Sequence, residues 1–442
     1  MGEKQIRILE RAAFWLTFSA AASILFSIAV SSICLALAIA TLLLSGAKLR
    51  LPPVKWPLGF FLLWTVVSLA MSANPAEGRP QIRKFFVYLT LVVVSSTFRD
   101  LASVKRLLLT IAVIATVSSL RALAQFSWQL QNCGGDYKCL VGERITGFMS
   151  HWMTFGGQIM IALLLLGAYL LWGHAGKRRG LWLIAAAIMA LALFAGGTRS
   201  IWVATFVAGS LLLWMWKRWT VVIAPLLIAI ALLAAPPFLK QRFTSIWKPQ
   251  GQTDSNEHRR VSWRTGLRII QAHPVFGIGP EHVKSHFKEY VPEDVKQLPE
   301  GWYGHLHNIY LHYAAERGLP ALAALLGWLG LMLRDFARGL ARAPAGPSDA
   351  RFIIAGALAT LIAILVGGVF EHNLGDSEVL VLFLAVMSCG YVALEELGVT
   401  GSRDYSGGGN GRVGSGDGSA SGGREGDAGA QLPGEPGTGA AA

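Results

Sequence analysis

The sequence predicts an all-α, polytopic membrane protein of about twelve transmembrane helices, with a long outer loop that contains amphipathic helices. Of its 442 residues, 53% are hydrophobic and only 15% are charged, whereas soluble globular chains have about 25% charged residues. Apolar windows of roughly 17 to 20 residues also recur along the chain, and each is long enough to cross a hydrocarbon core of about 30 Å as a helix. The lipid bilayer is therefore the predicted solvent for most of the chain.

The predicted spans follow one another with short polar connections. They cover residues 12–27, 29–46, 57–73, 85–98, 107–128, 152–172, 181–197, 200–216, 220–238, 309–333, 352–370 and 378–394. Lys4, Arg7 and Arg11 precede the first span, as in a signal peptide. The apolar stretch after them continues to about residue 45, which is longer than a signal-peptide core of about 7 to 15 residues. It therefore predicts two membrane helices joined by a tight turn.

The distribution of basic residues predicts the orientation. If the N-terminus is cytoplasmic, every inside connection is basic, for example Lys48 with Arg50 and Lys177 with Arg178, as the positive-inside rule requires. The C-terminus is then cytoplasmic as well. The net charge of +13 could suggest a nucleic-acid partner, but the basic residues form short clusters between apolar spans. Membrane lipids, and no nucleic acid, are therefore the predicted partners.

The chain divides into a membrane domain and a tail. Residues 1–397 contain all predicted spans, and 239–308 form the only substantial segment between spans, dense in polar and aromatic residues. This outer segment is the default position for a functional site. Residues 398–442 are rich in Gly, Ser and Ala without apolar periodicity, so we predict a disordered cytoplasmic tail.

Two of the four cysteines lie in the predicted outer loop 129–150. Cys133 and Cys139 are there, whereas Cys34 and Cys389 lie in spans. An oxidising compartment would favour a disulfide between the outer pair. The alternative is a pair of unbridged thiols, because spacing cannot establish disulfide geometry.

The outer segment contains a predicted amphipathic helix. Start signals occur at residues 254–256, and His273-Pro274 ends the pattern. Apolar residues between Trp263 and Ile270 recur at helical spacing. A cationic stripe follows another face at i, i+4 and i+8: Arg260, Arg264 and Arg268. The helix is expected to lie along the outer membrane surface.

Several arginines are candidates for binding an anion. Arg259 and Arg260 adjoin the helix start, where the helix dipole also favours anions. Arg199 occupies a short turn between two apolar spans, where a charge is costly without water, an anion or a partner. Two or three converging guanidinium groups could hold a lipid diphosphate without a metal. The alternatives are headgroup contacts for the helix arginines, an interfacial anchor for Arg199, and snorkelling to the surface for Arg121.

Three histidines lie where the chain re-enters the membrane: His305, His307 and His312. Their spacing does not place all three on one helical face, so we predict no metal site. An imidazole with a pKa near 6.5 can accept a proton close to neutrality. The alternative for His305 or His312 is a structural hydrogen bond.

These residues resemble the O-antigen ligase and polymerase superfamily. Its ligase motif is a His followed by Asn, Ser or Gln, then nine variable residues, then Gly-x-x and a final Gly, Thr or Tyr. Here His307-Asn308 and Gly318-Leu319-Pro320 have that spacing. Ala321 departs from the motif at its final position. Residues 197–200 are similar to the family's Thr-x-Ser-Arg-type turn, and 259–279 are similar to its Arg-x-x-x-Trp, His-Pro and Gly-x-Gly segment. The three motifs occur in the family's order.

The resemblance implies an inner-membrane glycosyltransferase of lipopolysaccharide biosynthesis. Residues 1–397 would be its catalytic domain, with 239–308 as a periplasmic catalytic loop. It would transfer O-antigen from undecaprenyl diphosphate to a sugar hydroxyl of lipid A-core, with inversion and without cofactor or metal. His307 would be the general base, with support from His305 and Asn308. The donor diphosphate would be bound by arginines: Arg199, Arg259, Arg260 and Arg264, with Arg121 as a possible addition.

Three other functions fit the sequence. An O-antigen polymerase would use a related donor but extend another lipid-linked glycan. A protein O-oligosaccharyltransferase would glycosylate a protein, although such enzymes often have an additional large outer region. A membrane transporter would explain spans with internal arginines, but the chain has no evident internal repeat or paired broken helices.

Overall fold

The computed structural model describes residues 2–246, 255–299 and 301–399, and these residues form helices and connections without any strand. The predicted all-helical class is therefore confirmed. The predicted disordered tail lies, from residue 400 onward, outside the described residues. The α-helices are α1 (Glu3–Ser23), α2 (Ile28–Leu44), α3 (Lys55–Ala70), α4 (Arg79–Arg83), α5 (Phe85–Thr97), α6 (Leu101–Asn132), α7 (Tyr137–Gly142), α8 (Trp152–Trp172), α9 (Arg179–Ala195), α10 (Arg199–Trp216), α11 (Ile223–Ala234), α12 (Pro237–Thr244), α13 (Ser255–Ala272), α14 (Val283–His286), α15 (Ile309–Arg342), α16 (Asp349–Gly368) and α17 (Ser377–Glu396).

Seven helical segments of the described chain are long and apolar enough to cross a membrane. They are α6, α8, Gly176–Ala195, α10, α15, α16 and α17. Three apolar segments are shorter: α2, α3 and Arg218–Ala234. The chain is thus a helical membrane protein, and the total of about twelve spans stays a prediction.

Several helices begin or end at residues other than the bounds of the predicted spans. Helix α1 begins at Glu3 rather than at residue 12, so its basic residues belong to the helix. Helix α6 has 32 residues and exceeds the predicted 107–128 at both ends. The predicted span 220–238 contains a 12-residue α11 after a short 3₁₀ turn, which spans only about 18 Å. Apolar composition cannot locate helix ends where polar turns continue the helical conformation.

The tight turn between α1 and α2 has a local cause. The Ser27 side chain accepts a hydrogen bond from the Val30 backbone and caps α2. The Ser31 hydroxyl donates to the Ala20 carbonyl across the turn, at 2.8 Å. These contacts hold α1 and α2 side by side, as the sequence predicted.

The centre of the bundle consists of α8, α16 and α17, which pack on one another and are largely buried. Gly356 permits the close contact of α16 with α8, because a Cβ there would lie 2.9 Å from Leu165. Small residues commonly have this role where membrane helices pack, since lipid offers little hydrophobic drive for association. Helix α10 packs on α16, and α3 packs on α15.

The outer segment has a small core of its own. Val261 and Ile269 of α13 are buried with Phe287 and Leu306. Each such side chain contributes about 1.5–3 kcal/mol when it is removed from water. Helix α13 occupies Ser255–Ala272, so the amphipathic helix predicted here is confirmed; Asp254, one of its predicted start residues, lies outside the described residues. This core fixes α13 against the chain that enters α15.

Helix α15 is interrupted, which differs from the single predicted span 309–333. Gly318 has a left-handed φ of 78°, and a Cβ there would lie 1.9 Å from the Val275 carbonyl oxygen. Gly277 meets the same break from the other side, since its Cβ would lie 2.2 Å from the Glu316 carbonyl carbon. Backbone hydrogen bonds, including Leu319 N to Pro274 O at 2.8 Å, join the two segments. The glycines of two separate sequence motifs therefore form one joint.

Candidate active site

His307 lies immediately before α15 with a left-handed φ of 49°. Such a conformation is uncommon for a residue other than glycine, and it often marks a functional site. The Asn308 side chain accepts hydrogen bonds from the backbones of Tyr310 and Leu311, and so caps α15. The Trp263 indole donates to the His307 carbonyl at 3.4 Å. The histidine is thereby fixed between the helix start and α13.

A carboxylate that the sequence analysis missed orients the His307 ring. Nδ1 of His307 lies 3.2 Å from Oε2 of Glu371, and the other carboxylate oxygen forms an ion pair with Arg259. Arg259 also donates from Nε to the Phe370 carbonyl at 3.0 Å. Because an ionised carboxylate only accepts, it favours a proton on Nδ1 and leaves Nε2 as the acceptor.

The environment keeps Glu371 ionised. Burial alone would raise its pKa, but the hydrogen bond from His307 and the charge of Arg259 outweigh burial and lower the pKa to about 2. The side chains of Arg259 and Glu371 are only 16% and 9% exposed. The mostly buried ion pair with Arg259 therefore holds the Glu371 carboxylate that contacts His307.

Nε2 of His307 has no hydrogen-bond partner among the described residues and is buried. The rings of His305 and His258 lie around it, with centroids 4.1 and 4.9 Å from that of His307. Burial and the proximity of His307 lower the pKa of His305 to about 3 and that of His258 to about 4. Both neighbours are neutral at pH 7. Nε2 of His258 also has no hydrogen-bond partner among the described residues, but the His307 ring is the one that a carboxylate orients through Nδ1.

Arginines from four chain segments lie near Arg259 or near its helix. Burial and the charges of Arg242 and Arg259 lower the pKa of Arg144 to about 9, which still leaves it charged at pH 7. Arg242 is 8% exposed and donates to the Gly197 carbonyl at 3.0 Å. Arg199, 7% exposed, donates to the Asn256 side chain at 2.8 Å, one turn before Arg259. The negative charge of Glu371 acts on Arg144 in the opposite direction and raises its pKa.

The remaining predicted arginines lie elsewhere. Arg260 pairs with Glu257 on the exposed face of α13, and Arg264 pairs with Asp294. The Arg121 guanidinium lies over the Phe148 ring, 5.0 Å from its centroid, and the residue is exposed. None of the three has a described contact with His307 or Glu371. The same helix therefore directs Arg259 and Trp263 to the centre and Arg260 and Arg264 away from it.

The third predicted histidine, His312, lies 4.0 Å from His372 and 6.5 Å from His305, measured between ring centroids. His312 Nε2 lies 3.4 Å from the Glu316 carboxylate, one turn further along α15. Within the described chain, the group with ligand atoms close enough for a metal ion is Cys133, Cys139 and Glu143, and its two sulfurs are already bonded to each other.

Cys133 and Cys139 form a disulfide, with Cα atoms 5.8 Å apart. The disulfide joins the end of α6 to α7, which ends two residues before Arg144. A disulfide that closes a loop of this length is expected to contribute about 2 kcal/mol to the free energy of unfolding.

We expect Cys133→Ser with Cys139→Ser to lower the thermal unfolding midpoint in detergent, while Cys34→Ser leaves it unchanged. Equal midpoints for the three proteins would contradict a stabilising bridge.

The residues missed from the sequence are Glu371, Arg144 and Arg242. Glu371 occurs in a short connection between two strongly apolar helices, where an acidic residue is costly and commonly functional. That signal was available in the sequence. Arg144 and Arg242 belong to no motif, and only the folded chain brings them beside Arg259.

Comparison with known families supports the resemblance. Residues 184–326 match the model of the family described as O-antigen ligase. The matched segment includes Arg199, α13 and His307, whereas Arg144 precedes it and Glu371 follows it. A search of the curated proteins finds no match. The resemblance predicted from the three motifs is thus confirmed for residues 184–326, which are similar to the O-antigen ligase family.

Proposed function

We propose that this protein is an O-antigen ligase, which transfers a glycan from undecaprenyl diphosphate to a sugar hydroxyl of lipid A-core. The observation that carries the proposal is the Arg259–Glu371–His307 chain of contacts beside a cluster of arginines. The family match supports the superfamily. The assignment of donor and acceptor rests on the motifs and on the chemistry of this site.

His307 is the proposed general base. Nε2 accepts the proton of the acceptor hydroxyl while the oxygen forms a bond to the anomeric carbon of the donor sugar. Glu371 stabilises the imidazolium that results, because it contacts Nδ1. Since Nε2 is buried, the acceptor must displace one of the neighbouring rings before reaction. Catalytic hydrogen bonds are often incomplete without substrate and form fully only in the enzyme–substrate complex.

The arginines are the proposed binding site for the leaving group. The bond between the anomeric carbon and the diphosphate oxygen breaks, and its electron pair stays on that oxygen. Arg144, Arg199, Arg242 and Arg259 provide four positive charges against one on Glu371. Guanidinium groups bind phosphate oxygens with paired hydrogen bonds, and fixed charges stabilise a developing anion most strongly where water is excluded.

The proposed reaction requires neither nucleotide nor cofactor. Attack opposite the diphosphate inverts the anomeric centre. The lipid-linked donor approaches through the bilayer, and the proposed site faces the periplasm under the outer segment 239–308. The distribution of basic residues supports a cytoplasmic position for both termini, and the family resemblance supports the inner membrane.

The proposal is tested by reconstitution. The protein in detergent is incubated with undecaprenyl diphosphate-linked O-antigen and lipid A-core in the presence of a metal chelator, and glycosylated lipid A-core is measured. We expect ligation with inversion. Extension of the lipid-linked glycan instead would assign a polymerase, and transfer only to a protein would assign a protein O-oligosaccharyltransferase. No transfer by the folded protein would contradict an enzymatic role and favour a transporter.

The arginine cluster predicts a difference between two residues of the same type. Arg144→Gln should lower the ligation rate about 10- to 100-fold, because a hydrogen bond to a charged group contributes about 1.5–3 kcal/mol. Arg264→Gln should change it less than about threefold, since an exposed pair such as Arg264 with Asp294 contributes about 0–1 kcal/mol. Rates at several donor concentrations separate the two variants. Equal losses of ligation rate in the two variants would contradict a diphosphate site at Arg144 that excludes the stripe of Arg260, Arg264 and Arg268.

A further inference from the structure

A cavity of about 620 Å³ lies at the end of the bundle where α1 begins, away from His307. We name it the N-terminal cavity. Its floor includes Phe14, Leu42 and Ser96, of which Leu42 and Ser96 are buried. Exposed cations line its edge: Lys4, Arg7, Arg11 and Arg99. Exposed cations at the edge, with the apolar side chains of Phe14 and Leu42 beneath them, suit an amphipathic anion.

The cations come from two parts of the chain. Lys4, Arg7 and Arg11 lie three and four residues apart, so they share one face of α1. Arg99 follows the end of α5. Glu10 is the acidic residue of the lining, which leaves four positive charges against one. Among the described residues, Lys4, Arg11 and Arg99 have no ion-pair partner.

The surroundings place the cavity beside lipid. Ile8, Leu43 and Leu44 are 58%, 60% and 66% exposed at the same end of α1 and α2. Helix α2 contains no charged residue and is followed by Lys48 and Arg50, as expected where a helix leaves the membrane. An occupant can therefore contact the cations with its head and the aliphatic side chains with its tails.

We propose that the N-terminal cavity binds the headgroup of an anionic glycerophospholipid. Arg11 and Arg99 hold the phosphate with their guanidinium groups. The acyl chains extend along Ile8, Leu43 and Leu44. A basic pocket between membrane helices has the chemistry that selects such lipids over zwitterionic ones. This site is independent of the transfer reaction proposed above.

The matched variants distinguish a built site from general attraction to a basic surface. Arg11→Gln with Arg99→Gln removes two charges from the cavity. Lys177→Gln with Arg178→Gln removes two exposed charges from a connection with the same predicted orientation, outside the cavity lining. All four side chains are exposed, so both proteins should fold, and size-exclusion chromatography checks this.

The measurement is native mass spectrometry of the full chain titrated with phosphatidylglycerol or phosphatidylcholine of identical acyl chains. We expect preferential binding of phosphatidylglycerol, about thirtyfold weaker in the cavity variant, since each basic residue contributes roughly a factor of five. The Lys177/Arg178 variant should bind as the unmodified protein does. Equal losses in both variants, equal binding of both lipids, or displacement by millimolar inorganic phosphate would each overturn the proposal.

Discussion

Replacement of His307 by alanine is expected to lower the ligation rate about 10²- to 10⁴-fold, the range that general-base assistance contributes. The protein should remain folded, because the Trp263 indole and the Asn308 cap act on backbone atoms that alanine retains. Its left-handed backbone at this position adds only a modest strain.

The measurement is the initial rate of lipid A-core glycosylation with saturating donor and acceptor. His174→Ala is a matched control, because His174 is exposed and lies in the connection after α8. Imidazole added to the His307→Ala protein should restore part of the rate, which a purely structural role would not permit. A full rate in the folded variant would refute His307 as the base.

The helical class and the position of His307 were predictable from the sequence, for separate physical reasons. Apolar windows identify helices because the bilayer requires each spanning segment to satisfy its backbone hydrogen bonds internally. His307 follows from a local motif, since Asn308 caps the helix that begins at Ile309. Both signals depend on residues close together in the chain.

The arrangement of the arginines was not predictable in the same way. The stripe of Arg260, Arg264 and Arg268 is regular in sequence, and regular spacing reports only which residues share a helix face. The structure directs that face toward Glu257, Asp294 and the Val291 carbonyl. Arg259 differs by a single position and faces Glu371. Rotation of a helix about its axis is set by packing, here by Val261 and Ile269.

The break in α15 lies at a motif that the sequence analysis identified, but its structural role was not predictable from the sequence. Gly318-Leu319-Pro320 matched a family spacing, but an interruption of the helix follows only from its contact with Gly277. Those residues are about 40 positions apart, and nothing local to either predicts the joint. The joint places α13 beside the start of α15, and therefore places Arg259 and Trp263 beside His307.

The buried Arg259–Glu371 pair should dominate the stability of the outer segment. Arg259→Met leaves Glu371 without its cation, and breaking a buried pair costs about 3–5 kcal/mol. Arg260→Met is the control on the same helix, because its exposed pair with Glu257 contributes about 0–1 kcal/mol. Chemical unfolding in mixed micelles should show this difference in the free energy of unfolding.

The double variant Arg259→Met with Glu371→Met separates stability from catalysis. It removes both buried charges, so most of the lost stability should return, since an apolar pair of similar volume often replaces a buried ion pair at little cost. Ligation should not return, because Nδ1 of His307 has then lost the carboxylate that orients it and the proposed diphosphate site has lost Arg259. If the double variant ligates at the normal rate, Glu371 has only a structural role. If Arg259→Met and Arg260→Met are equally stable, the buried pair does not support the site.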